Sequence, residues 1–179
     1  MNKLPPNLDY IEIDNFLTIE ECNKYIEYIN ELFTKEPDNE ALEIDGYQRL
    51  RISNNDLSDF IKTRLSNYYN TSNIYLGDKW FPTKYINDGG LCIHCDGSAY
   101  DEIRPSTYTV LLYLNDSFDG GRTVFVDDYD DEEIVKDNSI VIKPTSGKIL
   151  ILSQTILHFA EKIENGEKYI FRGDIFYSE

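Results

Sequence analysis

Residues 109–125 read TVLLYLNDSFDGGRTVF, and this stretch decides the fold class. Thr107 to Leu114 is a run of β-branched, aromatic and aliphatic side chains, the composition of a strand. Gly120-Gly121 then marks a turn, and Thr123–Val126 resumes as a second strand. Further strands are expected on both sides: Trp80–Ile86 and Leu91–Asp96 upstream, Ile140–Ile142, Ile149–Leu152 and Lys168–Tyr177 downstream. Gly89-Gly90, Pro144 with Gly147, and Asn165-Gly166 punctuate them as turns. Short strands at this spacing predict a sandwich or jelly roll.

The first third has a different period. Thr18-Ile19-Glu20-Glu21 has the form of a capping box, in which each side chain satisfies the other residue's free backbone N–H. Cys22, Ile26, Ile29 and Phe33 follow on one helical face. A second helix is expected from Asp56, burying Leu57, Phe60, Ile61, Leu65 and Tyr68, with Tyr47 to Ile52 alternating as a strand between the two. The expectation is one domain over 1–179, mainly β. Its helical N-terminal part spans about 15–70 and buttresses a double-stranded β-helix (jelly-roll) core over about 79–179.

The 179 residues include 17 Lys plus Arg against 33 Asp plus Glu, a net charge of −16. So acidic a surface repels phosphate backbones and anionic lipid, which disfavours nucleic-acid and membrane partners. The N-terminus MNKLPPNLDYIEID has no hydrophobic h-region and no apolar run approaches a membrane span. With only Cys22, Cys92 and Cys95, a reducing, cytoplasmic location is expected. The acidic run 127–133 lacks the glycine and ligand spacing of an EF-hand loop and reads as a solvated loop.

His94-Cys95-Asp96 carries the chemistry. In a strand, residues i and i+2 share a face, so an imidazole and a carboxylate stand side by side. His158, the only other histidine, follows an apolar strand and completes a 2-His-1-carboxylate triad. Such a triad suits Fe(II) and leaves coordination positions open. Alone, His-x-Asp also fits a histidine that merely neighbours an acid. Cys92 and Cys95 flank His94 as C-x-x-C. In a regular strand Cys92 would share the His94 face and Cys95 would point away, so packing is the expected role of both. A turn at that point would instead allow a zinc site.

From about Tyr10 to Tyr177 the chain resembles the Fe(II)- and 2-oxoglutarate-dependent dioxygenases, in their prolyl 4-hydroxylase-like branch. IEIDNFLTIEECNKYI (11–26) is similar to the opening strand and first helix. YINDGGLCIHCDG (85–97) resembles the Tyr–Gly–His-x-Asp segment, and residues 109–125 the strand–turn–strand after it. IKPTSGKILILS (142–153) resembles the Pro–Gly strand, and HFAEKIENGEKYIFRGDIFY (158–177) the closing segment. The resemblance implies His94, Asp96 and His158 as iron ligands and Lys168 as the cation for the distal carboxylate of 2-oxoglutarate. It also implies Tyr85 as a hydrogen-bonding partner of that cofactor.

Lys168, Ile170 and Arg172 share a face if the last strand is regular, so Arg172 is a helper or substitute for Lys168. A tyrosine on the strand after the metal pair also binds the cofactor in some relatives. Tyr113 matches it, and a slip of one residue puts Leu112 there. Leu91 stands where relatives often have an aromatic side chain. The implied activity is hydroxylation of an unactivated C–H bond, with ascorbate as a reductant. A peptidyl proline in a neutral or basic peptide or protein is the implied target. A free amino acid, another side chain and a non-catalytic metal-binding or interaction module are the alternatives.

Overall fold

The computed structural model describes residues 2, 8–35, 46–86, 88–100, 105–128, 135–136 and 139–177. In chain order the elements are β1 (Tyr10–Ile13), α1 (Ile19–Lys35), β2 (Tyr47–Arg49), β3 (Ile52–Ser53), α2 (Asn55–Leu65), β4 (Ile74–Leu76) and β5 (Lys79–Tyr85). They continue with β6 (Leu91–His94), β7 (Tyr108–Tyr113), β8 (Phe118–Gly120), β9 (Thr123–Phe125) and β10 (Ile140–Ile142). The chain closes with β11 (Ile149–Ser153), β12 (His158–Ala160), β13 (Ile163–Gly166) and β14 (Lys168–Tyr177). The major sheet runs β1-β11-β7-β14-β5-β2, with β3 on β5 and β4 on β14. A minor sheet runs β10-β9-β12-β6, and β13 pairs with β8. This is a jelly roll with helices on its major sheet.

The central strands are buried on both faces, and their alternation sorts side chains into two cores. Val110 and Leu112 of β7, Ile149 and Ile151 of β11, and Tyr169 and Phe171 of β14 join the cluster beneath the helices. Leu111, Tyr113, Leu150, Leu152 and Ile170 join the second cluster, with Phe125 and Ile142 of the minor sheet. The alternation places Lys168, Ile170 and Arg172 on the inter-sheet side, in one pocket.

The helices follow the expected signals. Glu21 Oε2 accepts from the Thr18 N–H at 2.8 Å, and Thr18 Oγ1 from the Glu21 N–H at 3.2 Å, which closes the capping box. Asn54 caps α2, its Oδ1 accepting from the Leu57 N–H at 2.9 Å, so the helix begins a residue before the expected Asp56. Arg64 of α2 reaches Glu21 with Nη2 at 2.7 Å and the Phe16 carbonyl at 2.8 Å, tying the helices together. Tyr68 corrects the expected buried face: α2 ends at Leu65 and Tyr68 is 44% exposed.

β4, β8, β12 and β13 are three or four residues long, too short for alternation to stand out. Asn165-Gly166, expected as a turn, belongs to β13. From residue 129 the acidic run lies outside the described residues. Among the described residues no helix is long and apolar enough to cross a membrane.

Gly173 on β14 is required by space. A Cβ there would lie 2.7 Å from the ring of Trp80, which is fully buried. Gly173→Ala is expected to destabilise the fold by about 1–3 kcal/mol through overpacking. Chemical denaturation checks this, and an unchanged midpoint would refute it.

Candidate metal centre

β6 and β12 pair antiparallel with His94 directly opposite His158. The rings lie 4.3 Å apart. Nδ1 of His94 is 2.8 Å from the Cys92 carbonyl, and Nδ1 of His158 is 2.9 Å from the Ile156 carbonyl. A carbonyl only accepts, so each Nδ1 carries the proton and each Nε2 keeps its lone pair. Asp96 stands just past the end of β6. Its Oδ1 is 3.7 Å from His94 Nε2 and its Oδ2 is 3.8 Å from His158 Nε2. One ligand atom from each of the three residues lies within 4.8 Å of the others. Among the described residues Asp96 Oδ2 is buried without a hydrogen-bond partner, an acceptor turned towards the imidazoles.

A bulge sets the orientation of β6. His158 pairs with His94, and Ala160, two residues on, pairs with Leu91, three residues back. β6 thus carries one extra residue, and its alternation breaks. Leu91 and His94 both line the pocket, while Cys92 is exposed. This corrects two expectations: Cys92 does not face the metal side, and it is not packed. Cys95 donates to the Thr155 carbonyl at 3.3 Å. Among the described residues neither cysteine joins a metal-ligand cluster.

The other residues implied by the resemblance line the same pocket. Lys168 lies directly opposite Tyr85 in the sheet, and both are buried. Lys168 Nζ donates to the Gly121 carbonyl at 2.6 Å and lies 5.1 and 5.5 Å from the rings of Tyr85 and Tyr113. Burial pushes the Lys168 pKa down to about 7, against the charge of Glu161, which raises it. Arg172 differs in role. Its fork meets Asp174 through Nη1 and Nη2, each at 3.1 Å, and its Nε lies 3.7 Å from Asp96 Oδ1. Gln154 Nε2 donates to Asp174 Oδ1 at 2.8 Å.

The electrostatics favour an ionised ligand set. Burial by itself would raise the Asp96 pKa. Contact with His94 and the charge of Arg172, with His158 beside them, outweigh it and hold the carboxyl well below the usual carboxylate range. Burial lowers the His158 pKa, which favours its neutral form, the form able to ligate a metal.

Three pocket residues were missed by the sequence reading or left open. Tyr113 rather than Leu112 faces the pocket, and its hydroxyl meets Thr123 Oγ1 at 2.8 Å. The alternation of β7 is the signal for this choice, once Leu112 is assigned to the helix side. Thr123 and Arg49 also line the pocket. Arg49 gave no signal, since β2 has only three residues. The enclosed cavity at these residues is small, about 30 Å³.

No protein-family model matches the sequence, and no curated protein matches it. Solved structures do. The viral collagen prolyl hydroxylase of Paramecium bursaria Chlorella virus-1, in complex with 2-oxoglutarate, superposes with TM-score 0.68 at 18% identity, covering 98% of this chain and 99% of that one. A Trichoplax adhaerens prolyl hydroxylase, bound to a hypoxia inducible factor peptide fragment, gives 0.68 at 18% identity over 96% of this chain and 84% of that one. This chain has the fold of the 2-oxoglutarate- and Fe(II)-dependent oxygenases. Within that fold HygX of Streptomyces hygroscopicus, bound to nickel, 2-oxoglutarate and hygromycin B, gives 0.63 at 13% identity, over 93% and 82% of the two chains. The fold therefore does not by itself select a substrate.

Proposed function

We propose that this chain is an Fe(II)- and 2-oxoglutarate-dependent dioxygenase that hydroxylates an unactivated C–H bond, with a peptidyl proline as the target. The observation that carries the reading is the His94–Asp96–His158 group, with both Nε2 lone pairs free and a buried, unpartnered carboxylate oxygen. One carboxylate and two imidazoles on adjacent positions suit a divalent iron and leave coordination positions open. When bound, iron and 2-oxoglutarate supply the oxidising chemistry: dioxygen is consumed, the oxo acid becomes succinate and carbon dioxide, and the substrate C–H becomes C–OH.

The residues supply binding and order. Lys168 takes the distal carboxylate of the cofactor, exchanging the Gly121 carbonyl for a charged acceptor. The rings of Tyr85 and Tyr113 stand beside it. Arg172, anchored by Asp174, keeps Asp96 oriented without itself being a ligand. Substrate approaches through the cleft of about 750 Å³ lined by Arg51, Phe81, Tyr100 and Phe176, which shares Arg172 with the metal pocket. The peptide-bound Trichoplax structure supports a peptide as substrate.

The test is succinate release by purified protein with Fe(II), 2-oxoglutarate and ascorbate against a peptide panel that includes proline-rich sequences. Succinate formation that requires both cofactors and rises with a proline peptide is expected, with a mass gain of one oxygen on the proline. No succinate under any condition would overturn the oxygenase reading. Coupled turnover on other side chains alone would overturn the proline assignment.

A further inference from the structure

We infer that the substrate carries a carboxylate close to the C–H bond attacked, and that Arg49 receives it. The inference rests on the oxygenase reading above and concerns the half of the site that the cofactor does not fill.

The first support is charge balance. Among the described residues, Arg49, Lys168 and Arg172 line the pocket as cations, and Asp96 lines it as the only carboxylate, with Asp174 bonded to Arg172 just outside. The site thus holds three positive and two negative side chains. A divalent iron and a dianionic oxo acid add no net charge. The loaded site keeps one positive charge in excess, and it stands on Arg49. Lys168 is assigned to the cofactor, and Arg172 is already bonded to Asp174 on both Nη atoms. An excess charge in a half-buried site is unfavourable unless paired. A substrate with one carboxylate removes the excess, whereas a neutral peptide leaves it.

The second support is the geometry of Arg49. It is half-buried on β2, the last strand in the order of the major sheet, and lines the pocket. Its Nε donates to Thr83 Oγ1 at 3.2 Å, and its guanidinium lies 5.3 Å from the centre of the Tyr47 ring. Thr83 is itself fully buried. These contacts, with a hydrogen bond to the buried Tyr85 hydroxyl, fix the plane of the guanidinium. A guanidinium held in place in this way is suited to carboxylate recognition. In sheet register Arg49 stands opposite Thr83, and Thr83 opposite Ile170, between Lys168 and Arg172 on β14. The Arg49 guanidinium therefore sits beside the cofactor cation on the same face.

The overall charge of −16 favours neutral or basic substrates by long-range steering. That field is screened within about 10 Å at ordinary ionic strength, so the local cation decides the bound state.

The experiment uses the full chain loaded with Mn(II) and 2-oxoglutarate without oxygen, and reads probe binding by calorimetry. The probes are proline peptides differing at one flanking position, Glu, Gln or Lys, and the pair L-proline and L-prolinamide. The peptide arm reports a side-chain carboxylate and the amino-acid arm a free one. In at least one arm the carboxylate probe is expected to bind about tenfold or more tightly than its amide. Arg49→Gln should abolish that discrimination, while Arg49→Lys should restore part of it, and both should keep wild-type affinity for Mn(II) and 2-oxoglutarate. The inference is overturned if no carboxylate probe binds more tightly than its amide, or if the discrimination survives in Arg49→Gln. It is also overturned if Arg49→Gln weakens 2-oxoglutarate binding, which would assign the arginine to the cofactor. Failure of the wild type to bind metal and 2-oxoglutarate would instead refute the oxygenase reading.

Discussion

Asp96→Asn is expected to lower affinity for Fe(II), or for Mn(II) as its redox-silent substitute, by about 100-fold or more and to abolish turnover. Removing even an outer-shell partner of a metal site typically weakens it by roughly 10–100-fold, so loss of the one charged ligand should do at least as much. Asparagine keeps the shape of the side chain and removes its charge. The fold should survive, because Arg172 retains Asp174. Metal-dependent stabilisation separates the two effects. At a metal concentration about 100 times the wild-type dissociation constant, the wild type gains about 2.7 kcal/mol of stability. The variant should gain almost none while unfolding normally without metal. His158→Ala should behave likewise, with some loss of metal-free stability because that ring is 4% exposed. Full metal affinity in either variant would dissolve the triad assignment.

The clustering of His94, Asp96 and His158 was legible in sequence because it needs few residues and rigid spacing. His94 and Asp96 are two apart, and the chain holds only one other histidine. What sequence could not place was the face of each neighbour. The alternation that brings Lys168 and Arg172 into one pocket holds along β14, a ten-residue strand with regular pairing. The same rule failed at Cys92, because the β6 bulge adds a residue that no local composition announces. A bulge is fixed by the partner strand, here Ala160 and His158, which lies over sixty residues away. Tyr113 and Leu112 were indistinguishable for the same reason until pairing with β11 and β14 set the register. Arg49 was invisible because a three-residue strand has no period and its pocket is built from other strands.

Lys168→Met is expected to raise the apparent Michaelis constant for 2-oxoglutarate by about two orders of magnitude or more. Leaving one half of a buried ion pair without its partner costs on the order of 3–5 kcal/mol, and each 1.4 kcal/mol is about tenfold. Metal binding should persist, since Lys168 is not a ligand. The pH dependence gives a sharper test. In the protein without cofactor, burial lowers the Lys168 pKa to about 7 from 10.5. The dianion needs the ammonium form, so binding takes up a proton once the pH exceeds about 7. Affinity should then fall by up to roughly tenfold per pH unit above that value. Stability without cofactor moves the opposite way. Between about 7 and 10.5 the unfolded chain holds a proton on this lysine that the folded chain lacks, so the stability contributed by this group rises with pH across the window and is lost below it. Methionine fills the same space without the ammonium, and both dependences should vanish in Lys168→Met. Lys168→Arg should recover only part of the affinity, because a planar fork does not reproduce a point charge facing the Gly121 carbonyl. The measurements are 2-oxoglutarate titrations and unfolding curves from pH 6 to pH 9 for each variant, with Arg172→Gln alongside. A near-normal constant in Lys168→Met with a severe loss in Arg172→Gln would transfer the cofactor carboxylate to Arg172 and refute the assignment to Lys168.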